Sequence, residues 1–253
     1  MERVIKTNLL LETADQVSGR IVKRFPQSGL SRVAAEVVQI TREAVKRAEI
    51  IGRPYPALRA GLVVLAVTAL ALIWWEIRGH ESEVFTVAWL RQFLDATKGS
   101  AAYLGAIAFF IITIEIRLKR RRALKAVHEL RAMAHIIDMH QLAKDPERLG
   151  SKEEPVLVSG RPMSADDMYR YLHFCSELLA FVSKIGHLYV QNFADAPTLA
   201  AVDQFENLAT GLSSKIWQKI MLLERLPSDA REVIDAEVTT AGMADSARHC
   251  PKP

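Results

Sequence analysis

GLVVLAVTALALIWW, from Gly61 to Trp75, and SAAYLGAIAFFIITIEIRL, from Ser100 to Leu118, are the two stretches on which the fold turns. A helix rises about 1.5 Å per residue, so a ~30 Å hydrocarbon layer takes about twenty apolar residues, with about seventeen as the lower bound. The second stretch meets that length, interrupted only by Glu115 and Arg117 near its end. The first is marginal, reaching about eighteen residues between Ala60 and Ile77 if Arg59 and Glu76 snorkel to the boundary. Trp74 and Trp75 at one end, and Tyr103 near the start of the other stretch, are amphipathic aromatics that favour the headgroup level of a bilayer. The pattern predicts a membrane-embedded helical hairpin rather than a buried soluble one.

Bulk properties fit this only as averages. The chain has 253 residues, 50% of them hydrophobic and 25% charged, because polar helical segments dilute the apolar ones. Its net charge is +4, and much of the excess lies in Arg117, Lys119, Arg120, Arg121, Arg122 and Lys125, directly beside the second stretch. A juxtamembrane run of this kind reads as a topology signal and an anchor to anionic lipid headgroups, not as a nucleic-acid interface. Cys175 and Cys250 are the two cysteines, too few for a disulfide framework or a paired-cysteine zinc motif. The opening MERVIKTNLLLETADQ lacks the apolar core and cleavage site of a signal peptide, so the hairpin itself is expected to direct insertion.

Lys and Arg also set the orientation. Arg42, Lys46, Arg47, Arg53 and Arg59 precede the first stretch and the basic run follows the second. The connection carries only Arg78, Arg91 and Lys98, offset by Glu81, Glu83 and Asp95. Positive residues stay on the cytoplasmic side, which places both termini in the cytoplasm of a multi-pass protein of the bacterial cytoplasmic (inner) membrane.

The expected fold is all-α: a two-helix transmembrane hairpin with a cytoplasmic helical bundle built from segments before and after it. Residues 1–56 read as a helical pair, broken at Pro26 and Gly29, with Ser28 or Ser31 as a cap and Gly52, Pro54 and Pro56 as the stop. Residues 57–118 form the hairpin, with an extracytoplasmic loop at 78–99. Within that loop, Phe85, Ala88, Trp89, Phe93 and Leu94 share a face if 82–96 is helical. Past Leu118 there is no breaker before Pro146, so one rod is predicted to continue through KRRRALKAVHELRAMAHIIDMHQLAKD. Residues 119–226 make the cytoplasmic helical region. The segment 146–163 is a small hairpin or a mobile loop. Ser164 and Asp167 form a capping box for the next helix, whose stripe runs Met168, Leu172, Cys175, Leu179, Val182, Ile185 and Tyr189. After the FADAP turn a final helix carries Leu199, Val202, Phe205, Ala209, Leu212, Ile216, Ile220 and Leu223. These two pack antiparallel. Residues 227–253 are polar and expected to be a disordered tail.

Few constellations point to chemistry. His128, Arg131, His135 and Asp138 follow one stripe of the rod, where neighbours three or four apart face each other. His135 and Asp138 are spaced to share a metal or a proton, yet two ligands fall short of a zinc site unless another helix supplies His173 or Glu177. Cys175 reads as a small core residue. Glu115 sits about one turn from the basic end and is spaced to pair with Lys119. No catalytic residue, cofactor site or metal site is assigned. The expected anchoring residues are Trp74, Trp75, Tyr103, Lys119, Arg120, Arg121 and Arg122.

The arrangement of two membrane helices flanked by cytoplasmic helices resembles the bacterial two-helix membrane effectors of nucleotide-signalled defence. That resemblance is architectural and covers no residue motif. The expected function is a non-enzymatic inner-membrane protein whose helical domain serves interaction, scaffolding or signalling. Its expected partners are the lipid bilayer and another copy of itself or an unidentified cytoplasmic protein. An oligomeric effector or pore, and a metal-assisted enzyme using His135 and Asp138, are the alternatives.

Overall fold

The computed structural model describes residues 6–79, 87–149, 156–191, 193–227, 231 and 234–236. Among them are six α-helices, one 3-10 turn and a two-stranded hairpin. The chain divides into two compact units, one made of residues 1–50 with 123–253, the other of 51–122.

The first unit is a helical bundle. Its α1 (Thr7–Arg24) buries Leu10, Ala14, Val17 and Ile21, a one-sided stripe at helical spacing. Phe25 closes the helix by donating its N–H to Ile21 O at 2.8 Å, and Pro26 prevents its continuation. Ser28 then starts α2 (Gly29–Gly52), its Oγ accepting the Ser31 N–H at 3.0 Å. Val33, Val37, Ala44, Ala48 and Ile51 of the predicted stripe are buried, while Ile40 and Val45 are half-buried.

α4 (Val87–Leu142) is a single helix of 56 residues, so the predicted rod extends further back than the second apolar stretch. The described part of the supposed loop helix, from Val87 onward, belongs to α4 and is not a separate element; residues 80–86 lie outside the described ones. In the bundle, α4 buries Val127, Leu130, Met133, Ala134 and Ile137. Asp145 caps the 3-10 turn Pro146–Arg148 by accepting the Glu147 N–H at 3.2 Å.

The segment left open between hairpin and loop is a hairpin where it is described. β1 (Leu157–Val158) pairs antiparallel with β2 (Arg161–Pro162) around Ser159 and Gly160. Both turn residues have positive φ, 50° and 79°, the signature of the tight turn whose twist suits paired strands. The Ser159 hydroxyl donates to Pro26 O at 3.1 Å, tying this turn to the α1–α2 corner.

α5 (Ala165–Gln191) and α6 (Ala196–Glu224) form the centre of the bundle. Asp167 N–H donates to Ser164 Oγ at 3.0 Å, which is one half of the predicted capping box. Asp195 caps α6 by accepting the Thr198 N–H at 3.3 Å, with the Thr198 hydroxyl donating to the same oxygen at 3.0 Å, and Pro197 sits in the first turn. Gly186 faces α6 at close range: a Cβ there would stand in ordinary contact with Phe205 Cδ1 at 3.4 Å. α5 buries more than its predicted stripe, since Tyr171, Leu178, Phe181 and Leu188 are covered as well. Leu199, by contrast, is exposed. Beyond Pro227, Asp235 Oδ1 accepts the Ala165 N–H at 2.9 Å at the start of α5, and Arg231 donates to Glu224 O at 2.7 Å at the end of α6; most of the expected tail lies outside the described residues.

The second unit contains the end of α2, α3 (Pro56–Gly79) and α4 as far as Arg122. Pro56 opens α3 at the position that needs no N–H donor. Half-buried positions recur at Leu58, Leu62, Leu65 and Ala69 on α3, and at Leu104, Ala108, Ile111 and Glu115 on α4. Both stripes repeat every three or four residues, which marks one seam on each helix. The remaining described side chains of these two apolar stretches are mostly exposed.

Candidate functional site

Three groups of polar residues stand out, and each has a physical account.

The polar stripe of α4 does not converge. His128 and His135 are exposed and Arg131 is half-buried. Asp138 is engaged within the helix: its Oδ1 accepts the Gln141 Nε2 donor at 2.7 Å. His173 packs between two aromatics, stacked on Tyr169 at 6.4 Å and edge-on to Trp217 at 6.3 Å. Glu177 is taken by Arg20 of α1. Among the described residues, no three His, Cys, Asp or Glu side chains gather closely enough to hold a metal ion.

A lysine knot closes the end of α4 instead. A helix leaves its last four carbonyls without intrahelical partners. Lys219, reaching over from α6, donates its Nζ to Gln141 O at 3.0 Å and to Lys144 O at 3.2 Å. Lys144 is buried, donates to Leu157 O, and lies 5.3 Å from the centre of the Tyr171 ring. Burial lowers the affinity of both amines for their protons. Burial pushes the neighbouring Cys175 thiol and Tyr171 hydroxyl up, so Cys175 stays a protonated core group, not a nucleophile. The lysines were invisible as a pair in the sequence because 75 residues separate Lys144 from Lys219.

Nearby, His140 lies against the first residue of α2. A Cβ added to Gly29 would stand 2.5 Å from His140 Cε1, so glycine is what lets the imidazole sit there. Burial, Arg32 and Lys144 all lower the pKa of this imidazole.

The third group is the foot of the hairpin unit. Glu115 Oε1 pairs with Lys119 Nζ at 2.9 Å, as the spacing predicts, and also faces the Tyr55 backbone N–H at 3.5 Å. The carboxylate thus meets the chain where α3 begins, an end that favours negative charge. Arg122 places its guanidinium carbon 5.2 Å from the Tyr55 ring centre. Of the other anchoring residues, Trp74, Trp75, Tyr103 and Arg121 are exposed, and Arg120 is half-buried. Arg78 covers the Trp74 ring at 4.3 Å, at the far end of α3.

Fold and sites together define a mostly helical chain with one packed bundle and one outward-facing apolar two-helix unit. Comparison with protein-family models, curated proteins and solved structures found no match to this chain.

Proposed function

We propose that this chain is an integral protein of the bacterial cytoplasmic membrane, held by the α3–α4 hairpin with both termini in the cytoplasm. Its bundle is a non-catalytic interaction, scaffold or signalling domain. One observation carries the reading: the hairpin's apolar side chains face outward. Val64 is 64% exposed, Leu70 66%, Trp75 75% and Phe109 72%. Apolar surface costs about 25 cal/mol per Å² in water, and a helix apolar all round needs either a protein interior or hydrocarbon about it. Within the described residues, the stretch Gly29–Leu72 is long and apolar enough to cross a membrane, and its apolar window is 0% buried, which separates it from a core helix.

The interaction role draws on surface left over in the bundle. Trp217, Met221 and Leu222 of α6 and Met139 and Leu142 of α4 are exposed large apolar groups. The test is membrane fractionation with alkaline extraction, combined with protease access to tags at each end. Release of the chain without detergent, or cleavage of either tag from outside intact cells, defeats the reading. Affinity purification in mild detergent then distinguishes a partner protein from self-assembly.

A second reading, an oligomeric two-helix effector or pore, is favoured by Gly61 and Gly105. Both are exposed, and a Cβ at either would meet nothing within 4 Å, so each offers a smooth outward face to another copy. Dye leakage from vesicles carrying the purified protein tests it; tight vesicles reject it. The metal-assisted alternative has only the sequence spacing of His135 and Asp138 behind it, and metal analysis of the wild type and His135→Ala decides it.

A further inference from the structure

The foot of the hairpin holds more positive charge than its own carboxylate uses. Glu115 is already engaged by Lys119 and the Tyr55 N–H. Arg59, one turn along α3 from Tyr55, acts electrostatically on the same carboxylate. Arg122, one turn beyond Lys119, rests on the Tyr55 ring with its side chain exposed. Two cations therefore act on one carboxylate, with a third beside it on the Tyr55 ring. The Tyr55 hydroxyl adds a second imbalance: it is buried and has no hydrogen-bond partner among the described residues. Buried hydroxyls are nearly always bonded, and an ionised oxygen is the strongest acceptor they meet.

Exposed apolar surface begins at the same place. Ile112, Ile116 and Leu118 on α4 and Val63 and Val64 on α3 all face outward. An anion carrying acyl chains would satisfy both halves of this surface at once, whereas a free anion would satisfy only the charged half.

We infer that Tyr55, Arg59, Lys119 and Arg122 form a discrete site for the phosphate of an anionic phospholipid, with the acyl chains along the outward face of the hairpin. The inference rests on the membrane reading above and narrows it. A diffuse basic anchor weakens in step with each charge removed, wherever that charge sits, at about 1 kcal/mol apiece. A site instead binds a fixed number of lipids and depends on position. Arg117 and Arg121 lie off the Glu115–Lys119–Arg122 stripe, so they supply the comparison.

The experiment is native mass spectrometry of the full chain, purified in mild detergent, delipidated and titrated with phosphatidylglycerol or phosphatidylcholine. Phosphatidylglycerol is expected to be retained in a fixed ratio to protein, where phosphatidylcholine is not. Arg59→Gln with Arg122→Gln should reduce its occupancy about tenfold or more, from about 1 kcal/mol per cation. Tyr55→Phe, which keeps the ring, should reduce it severalfold. Arg117→Gln with Arg121→Gln removes the same charge and should leave it within about twofold if position rules over bulk charge. Circular dichroism on each variant excludes misfolding as the cause. Equal retention of the two lipids, or equal loss in the two double variants, overturns the site. Displacement of the lipid by millimolar inorganic phosphate overturns its assignment to lipid in favour of a free anion. A chain that stays in solution without detergent overturns both this inference and the membrane reading, whereas a detergent-dependent chain without lipid preference overturns this one alone.

Discussion

Leu172 in α5 is 0% exposed and Leu70 in α3 is 66% exposed, although each sits well inside a long helix. The bundle sorts its side chains: apolar residues go inward at helical spacing, and Arg20, Arg24, Arg42 and Arg47 meet carboxylates at its surface. The hairpin unit sorts only along one narrow seam and exposes the rest of its apolar surface. On the membrane reading proposed above, the two units answer to different solvents. Water stabilises the bundle by expelling apolar groups, while hydrocarbon gives no such drive and leaves close packing and polar ties to hold helices together. The Glu115–Lys119–Tyr55 contact is a tie of that kind.

The comparison breaks most visibly at Phe205, the largest fully covered side chain of α6. Phe205→Ala should cost about 3–5 kcal/mol of bundle stability, read from denaturant melts of the detergent-solubilised protein. Leu70→Ala should leave the same melt almost unmoved; a loss like that of Phe205 would mean that Leu70 is packed against protein. Next comes the lysine knot. Lys219→Ala removes one donor from Gln141 O at the end of α4 and one from Lys144 O just beyond it, and is expected to cost about 1–3 kcal/mol, with Lys219→Met no better, because the missing element is a hydrogen bond. Gly29→Ala should cost about 1 kcal/mol by crowding His140, and His140→Ala in the same chain should restore most of it.

The smallest effect is the pH response of His140. Its folded pKa lies below the unfolded value of about 6.5, so the unfolded chain takes up the proton first. Its contribution is therefore intact above about pH 6.5 and is lost as pH falls below that value. Thermal melts between pH 7.5 and 5 should show a downward drift of Tm that is shallower in His140→Gln. An equal drift in both chains would place the sensitivity elsewhere.

Reading from the residues alone succeeded where the physics is local. Pro26, Gly29, Pro56 and Pro197 punctuate helices because their backbone limits do not depend on the rest of the fold. The α6 stripe from Val202 to Leu223 was legible because one face of that helix is covered. α5 was legible only by half: it is covered on more than one side, and periodicity reports one face at a time. The same limit holds on the polar stripe. Spacing places Asp138 beside His135, but Gln141 three residues on claims its Oδ1, and no pattern within one helix announces that choice. Lys144 with Lys219, and Arg20 with Glu177, are meetings across long stretches of chain that a linear pattern does not encode.

The bundle's division along the chain has a consequence for its birth on the ribosome. Arg20 meets Glu177 across a sequence separation of 157, and the whole of 51–122 is made between the two halves. At about 5–20 residues per second, α1 waits roughly 8–30 s for the helix that covers it. For that interval Leu10, Val17 and Ile21 lack their final covering, so the nascent N-terminal pair is the segment for which a chaperone holding apolar surface would matter most.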